Sequence, residues 1–198
     1  MPTGVAIRDP REQLFDAAER VLLREGPSAL TSRAVTTEAG CAKGVLHRHF
    51  ADFDAFLAEL VQDRVARLRD RAAALDAAAG TRTVADNLTD ALTDLFDPVA
   101  VAVVALVTSR DDLRARLRQA GSTGVPLLTE ATAVIAGYLA AERDHGRITP
   151  DADLDTLAPT LVGAAHLLFA DRHAPRPTPA SLHHLVTTIT TPVRPTTH

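Results

Sequence analysis

From Pro10 onward, apolar residues return every three or four positions: Leu14, Ala18, Val21 and Leu22 fall on one side of a 3.6-residue repeat. Asp9, Pro10 and Glu12 make a helix start, with an N-cap carboxylate, a proline at the first helical position and a carboxylate three residues after the cap. Gly26-Pro27 ends it, so a first helix is predicted over about 10–25. Thr31 or Ser32 caps a second, short helix that turns Ala34, Val35 and Ala39 inward and stops at Gly40. Ala42 to His49 makes a third. Beyond Phe50, the residues Phe53, Phe56, Leu57, Leu60, Val61, Val65 and Leu68 form an i, i+3, i+4 stripe that continues toward Leu75. That stripe predicts one amphipathic helix over 53–78, roughly 36 to 40 Å long at about 1.5 Å per residue.

Ala79 to Thr83 breaks this pattern, and further helices are predicted at about 84–97, 98–109, 111–120 and 125–145, separated at Asp97-Pro98 and at Gly121 to Gly124. After the turn Gly146 to Pro150, the segment 153–170 is apolar around nearly its whole circumference beyond Leu157, the mark of a helix covered on both sides. His173 to Pro179 reads as a loop, Ala180 to Thr190 as a last short helix and the final residues as a frayed tail. Val101 to Val107 has the composition of a strand, but no other segment alternates at strand length to pair with it. The pattern is all-α.

A chain of 198 residues with 46% hydrophobic side chains buries one substantial core, or a small module attached to a larger one. The net charge of -4 argues against a uniformly basic surface, yet it permits a local positive face. One cysteine, Cys41, forms no intrachain disulfide, and the first ten residues lack the charged and apolar regions of a signal peptide. A cytoplasmic protein is expected. No membrane partner is expected either, because the longest apolar run, Val101 to Val107, falls far short of the roughly 20 residues that span a bilayer.

None of the short strings that mark hydrolases, metalloproteases, dinucleotide sites or phosphate loops occurs, so the chain is not read as an enzyme and no cofactor is expected. The acidic pairs Asp111-Asp112 and Asp153 with Asp155 stand at helix starts, where they complement the helix dipole. His47 and His49 are two residues apart and project to different sides of a helix, and His183 and His184 are adjacent, so neither pair has metal-ligand spacing and no metal is expected. Cys41 sits at a tight turn that wants a small side chain.

What remains is the stretch Thr31 to Phe50, TSRAVTTEAGCAKGVLHRHF. Two short helices joined by a turn at Gly40-Cys41-Ala42 form a helix-turn-helix, whose second helix is narrow enough for the major groove of DNA. Small residues Ala42, Gly44 and Val45 let such a helix approach base edges, while Lys43, His47, Arg48 and His49 supply hydrogen-bond donors for phosphates or guanine. The plain alternative is an αα-corner with a basic face.

The run Leu30 to Leu60, with the first helix a short interval before it, resembles the N-terminal DNA-binding domain of the TetR family of bacterial transcriptional regulators. Leu30-Thr31, Ala39-Gly40, Lys43-Gly44, Leu46 and Arg48-His49-Phe50 fall in that family's order and spacing, over about residues 10–60. The resemblance implies a helix-turn-helix domain at 1–52 and a helical effector-binding and dimerisation domain at 53–198. It implies a ligand-responsive regulator, most simply a repressor released from a palindromic operator by a small organic effector. Its partners are then double-stranded operator DNA, that effector and a second copy of the chain. Thr31 falls at a phosphate-contacting helix start and Arg33 toward the groove; Ala42, Lys43 and Val45 fall on the reading helix and His49 toward the backbone. Two positions depart from the family pattern: His47 stands where a phosphate-binding tyrosine is usual, and Phe53 where a lysine is usual.

Two further expectations come from the helical pattern. The side chains of Leu92, Phe96, Val103, Val107, Thr132, Ile135, Tyr138, Leu139, His166 and Phe169 are expected to line a mostly apolar effector cavity, with simple core filling as the alternative for each. The all-round apolar helix at 153–170 and the last helix are expected to pair with their two-fold copies as a four-helix bundle, through Leu157, Leu161, Leu168 and Leu185, with Gly163 and Ala164 permitting close approach. The rival reading is an all-α small-molecule-binding protein or enzyme that keeps the helix-turn-helix only as structure.

Overall fold

The computed structural model describes residues 9–171 and 174–194, and every regular element among them is helical. The helices are α1 (Pro10–Glu25), α2 (Ser32–Glu38), α3 (Gly44–His49), α4 (Phe53–Ala78), α5 (Val84–Leu95), α6 (Pro98–Ser109), α7 (Asp111–Gln119), α8 (Pro126–Asp144), α9 (Leu154–Phe169) and α10 (Pro179–Thr190). Short 3₁₀ turns follow α1 and α10. Val101 to Val107 is helical, inside α6. The residues group into two compact units, one made of residues up to 63 with 102–122, the other of 64–101 with 123 onward, so α4 and α6 each contribute to both.

In the first unit the caps follow the sequence signals. Asp9 Oδ1 accepts the Arg11 N–H at 2.9 Å, Pro10 occupies the first helical position, and Gly26 leaves α1 with φ 87°. The core is built by Leu14, Ala18, Val21 and Leu22 of α1, Val35 of α2, Leu46 of α3 and Phe56, Leu57 and Leu60 of α4, all buried. Phe15, Phe50 and Phe56 meet there with ring centroids 5.0 to 5.9 Å apart. Val103 and Val107 of α6 and Leu113 of α7, each 0% exposed, belong to this same unit.

The second unit packs α9 against α8, and α10 against both α5 and α9. Its core holds Leu88, Leu92, Ile135, Tyr138, Leu139, Leu161 and Val186. The expectation that α9 is covered on both sides is met on one side only: Leu161 and Ala165 are fully buried, whereas Leu167 is 78% exposed. The described part of a single chain supplies no element for that face. No single helix among the described residues is long and apolar enough to cross a membrane.

Candidate nucleic-acid interface

The turn between α2 and α3 closes α2 in a defined way. Gly40 takes φ 66°, its N–H donates to the Thr37 carbonyl at 3.1 Å, and the next N–H, that of Cys41, donates to the Thr36 carbonyl at 3.0 Å. This paired closure wants glycine at the left-handed position and consumes two carbonyls that the helix end leaves free. The following helix begins later than its sequence suggests, at Gly44, because Ala42 and Lys43 form a turn in which the Val45 N–H donates to the Ala42 carbonyl at 2.9 Å.

At six residues α3 is too short to persist alone, so its position is set by what it touches. Leu46 plugs the core with no exposed surface. From α1, Arg11 Nη1 donates to the His49 carbonyl at 3.3 Å, its guanidinium lies 4.6 Å from the centre of the Phe50 ring, and it pairs with Glu59 of α4. Gln13 Nε2 donates to the Ala39 carbonyl at 3.0 Å, at the last residue before the turn. Arg20 and Arg24 bind Glu38 at 2.7 and 2.9 Å, and the Arg20 hydrogen bond, followed by that of Arg24, holds its carboxyl below the usual carboxylate range. Gln13, Arg20 and Arg24 thus hold the end of α2 and Arg11 the end of α3, and the apolar periodicity of α1 gives no sign of them.

The remaining side chains of the turn and α3 face water. Ala42, Lys43, Gly44, His47 and Arg48 are exposed, while Val45 and His49 are half-buried. At α2, Thr31 Oγ1 caps the helix by accepting the Ala34 N–H at 3.1 Å, and both Thr31 and Arg33 are exposed. The residues expected to contact DNA therefore lie at the start of α2 and on the outward side of the turn and α3. Gly44 has an ordinary helical backbone rather than a positive φ, and a Cβ placed on it meets nothing within 4 Å. The chain's own packing gives no reason for glycine there.

Phe53 does not present itself in the same way. Its ring, half-buried, stacks on Phe56 at 5.7 Å and lies 5.6 Å from the guanidinium of Arg110. Beside it Asp52 caps α4 through the Ala55 N–H at 2.6 Å and binds Arg116 Nη2 at 2.7 Å; its carboxyl is held low first by the backbone bond and then by the arginine. The start of α4 is thus gripped by α7 and the residue before it, a role the sequence pattern does not announce.

Of the ten side chains expected around an effector, eight fall in the second unit, while Val103 and Val107 fall in the first. Leu92, Phe96, Ile135, Tyr138, Leu139 and Phe169 are core residues there, and Thr132 and His166 are half-buried. Phe96 stacks on Phe169 at 5.6 Å and meets the tilted His166 ring at 5.7 Å; burial lowers the His166 pKa below its ordinary value, and its Nδ1 has no hydrogen bond among the described residues. The second unit also carries a groove of about 560 Å³ between α4 and α5, with Leu75, Ala78, Asn87, Ala91, Asp94 and Leu95 in its wall, and none of the ten lines it.

At the inner end of this groove lies a buried polar chain. Glu142, 0% exposed, accepts a hydrogen bond from the Tyr138 hydroxyl; Asn87 Nδ2 donates to the same hydroxyl oxygen at 3.1 Å and to the Ala78 carbonyl at 3.0 Å. The second Glu142 oxygen meets Arg147 Nε at 3.2 Å and the Gly80 N–H at 3.4 Å. Burial first, and the Glu142 carboxylate second, push the Tyr138 hydroxyl well above its ordinary pKa, so it remains a donor. Tyr138 and Glu142 sit one helical turn apart on α8, and Gly146 with φ 71° turns the chain so that Arg147 comes back to them.

A two-helix turn with an outward, glycine-bearing, basic second helix has the geometry of a helix-turn-helix. Residues 14–60 match the family model of bacterial regulatory proteins, tetR family. The whole sequence matches no curated protein. The fold is similar to that of a transcriptional regulator from Rhodococcus sp. Rha1, at 20% identity and TM-score 0.68 over 92% of this chain and 95% of that one. It is similar also to a TetR-family member from Streptomyces coelicolor A3, at 21% identity and TM-score 0.65 over 92% and 99%. A third similar structure is the transcriptional regulator FadR from Bacillus subtilis in complex with stearoyl-CoA, at 17% identity and TM-score 0.66 over 94% and 99%. The all-α fold of these regulators thus extends over nearly the whole chain.

Proposed function

We propose that the chain is a homodimeric, cytoplasmic repressor that holds a palindromic operator through Thr31, Arg33 and the turn and α3 residues Ala42 to His49, and releases it when a small organic effector binds the second unit. The observation that carries this reading is Gly44: an exposed first residue of α3 that lacks a side chain although the protein leaves room for one. A surface that must come within contact distance of another molecule explains that choice, and Lys43, His47 and Arg48 around it give the molecule an anionic character.

Dimerisation is supported by the open side of α9, where Thr160, Gly163, Leu167 and Leu168 are exposed and Ala164 is half-buried, next to half-buried Leu185 of α10. Leu157 and Leu161, at 7% and 0% exposure, are already covered within the chain. The contact surface we propose is therefore Gly163, Ala164, Leu167, Leu168 and Leu185, with Leu167 as its centre.

Retardation of a DNA fragment from upstream of the protein's own gene tests the reading. Binding that weakens steeply with added salt is expected, because each neutralised phosphate releases counterions. A protein that leaves this fragment and other duplexes unbound at low salt contradicts it.

A further inference from the structure

The charges around the α4–α5 groove are not equivalent. Arg71 Nη1 is committed to the Asp94 carbonyl at 3.0 Å and to Asp97 Oδ2 at 3.3 Å. Asp97 is engaged as well by Arg64, at 3.0 and 2.8 Å, and by the Ala100 N–H at 2.8 Å. Arg82 pairs with Asp90 at 2.5 Å. With these groups satisfied by one another, two acceptors are left over. The Asp94 carboxylate makes no ion pair among the described residues. Asn87, 4% exposed, spends Nδ2 on Ala78 and Tyr138 and keeps its Oδ1 without a partner among the described residues. The carboxamide cannot be turned over, because the Ala78 carbonyl has no proton to give and the Tyr138 proton goes to Glu142.

Asn87 and Asp94 are seven residues apart on α5, so they share one face with Ala91 between them, about 10 Å from end to end along the helix. Leu75, Ala78 and Leu95 complete an apolar wall between the two acceptors. We propose that this groove binds an elongated organic cation, an ammonium placed at Asp94 and an apolar body leading to a neutral hydroxyl or amide donor at Asn87 Oδ1. The buried Glu142 acquires a purpose in this arrangement: through Tyr138 it fixes the orientation of Asn87, so that an acceptor and not a donor faces the groove. The proposal rests on the reading of the second unit as the effector-binding part, and names the chemistry of the effector.

The test is calorimetric titration of the full chain, at low ionic strength, with 8-amino-1-octanol, 1,8-octanediol and 8-hydroxyoctanoate, which differ in the charge at one end. The amino alcohol is expected to bind about three- to fivefold more tightly than the diol, as a partly exposed ion pair allows, and more tightly still than the carboxylate. Asp94→Asn, at an exposed position, is expected to abolish the preference for the amine over the diol with an unchanged melting temperature. Equal or tighter binding of the diol or the carboxylate, a preference that survives Asp94→Asn, or no binding of the amino alcohol at millimolar concentration overturns the proposal. DNA binding by the same preparation is scored separately. A protein that holds its DNA without discriminating the three probes contradicts the groove chemistry and leaves the regulator reading in place. One that discriminates them and holds no DNA supports the groove and contradicts that reading.

Discussion

Gly44 is the residue at which stability and the function we propose make opposite demands. Its backbone is helical and the space above it is empty, so Gly44→Ala removes freedom from the unfolded chain without a clash and should stabilise the fold by about 0.5 kcal/mol. The added methyl group stands on the surface that we propose meets DNA, and operator affinity should fall at least about tenfold. Thermal melting and fluorescence anisotropy on one preparation read both effects; a variant that melts higher and binds equally well removes Gly44 from the interface. His166 offers a second single-residue test. Because burial lowers its pKa in the folded state, the unfolded chain takes up the proton first as pH falls. The stability contributed by neutral His166 is therefore complete above its unfolded pKa and is lost as pH drops toward the folded one. Melting temperatures of the parent should fall between about pH 7 and pH 5 more than those of His166→Phe, whose ring keeps an aromatic contact with Phe96. Parallel curves would contradict this assignment.

At the scale of elements, α3 has its geometry imposed by α1. Gln13 and Arg11 hold the Ala39 and His49 carbonyls on either side of the turn, while Arg20 and Arg24 hold α2 through Glu38. Gln13→Leu leaves the Ala39 carbonyl without this donor and should cost about 1 kcal/mol of stability, with a loss of DNA affinity that Gln13→Glu does not restore, since a carboxylate cannot donate. Chemical denaturation and DNA titration check the pair. Most helices were legible in the sequence because their information is local: the 3.6 repeat, the Asp9-Pro10 start and the Gly40 stop are all read within a few residues. The late start of α3 was not, since Ala42 and Lys43 are compatible with helix and only the turn hydrogen bond from Val45 decides. The clamps of Arg11, Gln13, Arg110 and Arg116 are invisible for the opposite reason, being contacts between residues 26 to 64 positions apart. The expected effector residues show the limit of periodicity: it identifies inward-facing side chains such as Leu92 and Ile135 but does not distinguish a packed core from a groove wall, and the wall contains Asn87 and Asp94, which no apolar repeat selects.

For the whole molecule, the apolar surface that α9 leaves open is the argument for assembly. An exposed Leu167 beside Gly163 and Ala164 is poor on a monomer and suited to close helix contact with a second copy. Leu167→Glu should turn a dimer at micromolar concentration into a monomer in analytical ultracentrifugation, with the melting of the first unit unchanged; a parent chain that sediments as a monomer sinks the idea outright. DNA binding should weaken with the same substitution, because two linked heads hold one palindrome far more tightly than one. The central claim, that α3 reads DNA, is tested most directly by the affinity of the chain for its own upstream fragment and for a shuffled fragment of equal length and composition, measured over a salt series. The upstream fragment is expected to bind on the order of 10³-fold or more tightly at moderate salt, and both affinities to fall along steep log–log lines with a slope of about -0.9 for each phosphate contacted. Equal affinities for the two fragments, or binding indifferent to salt, would contradict it.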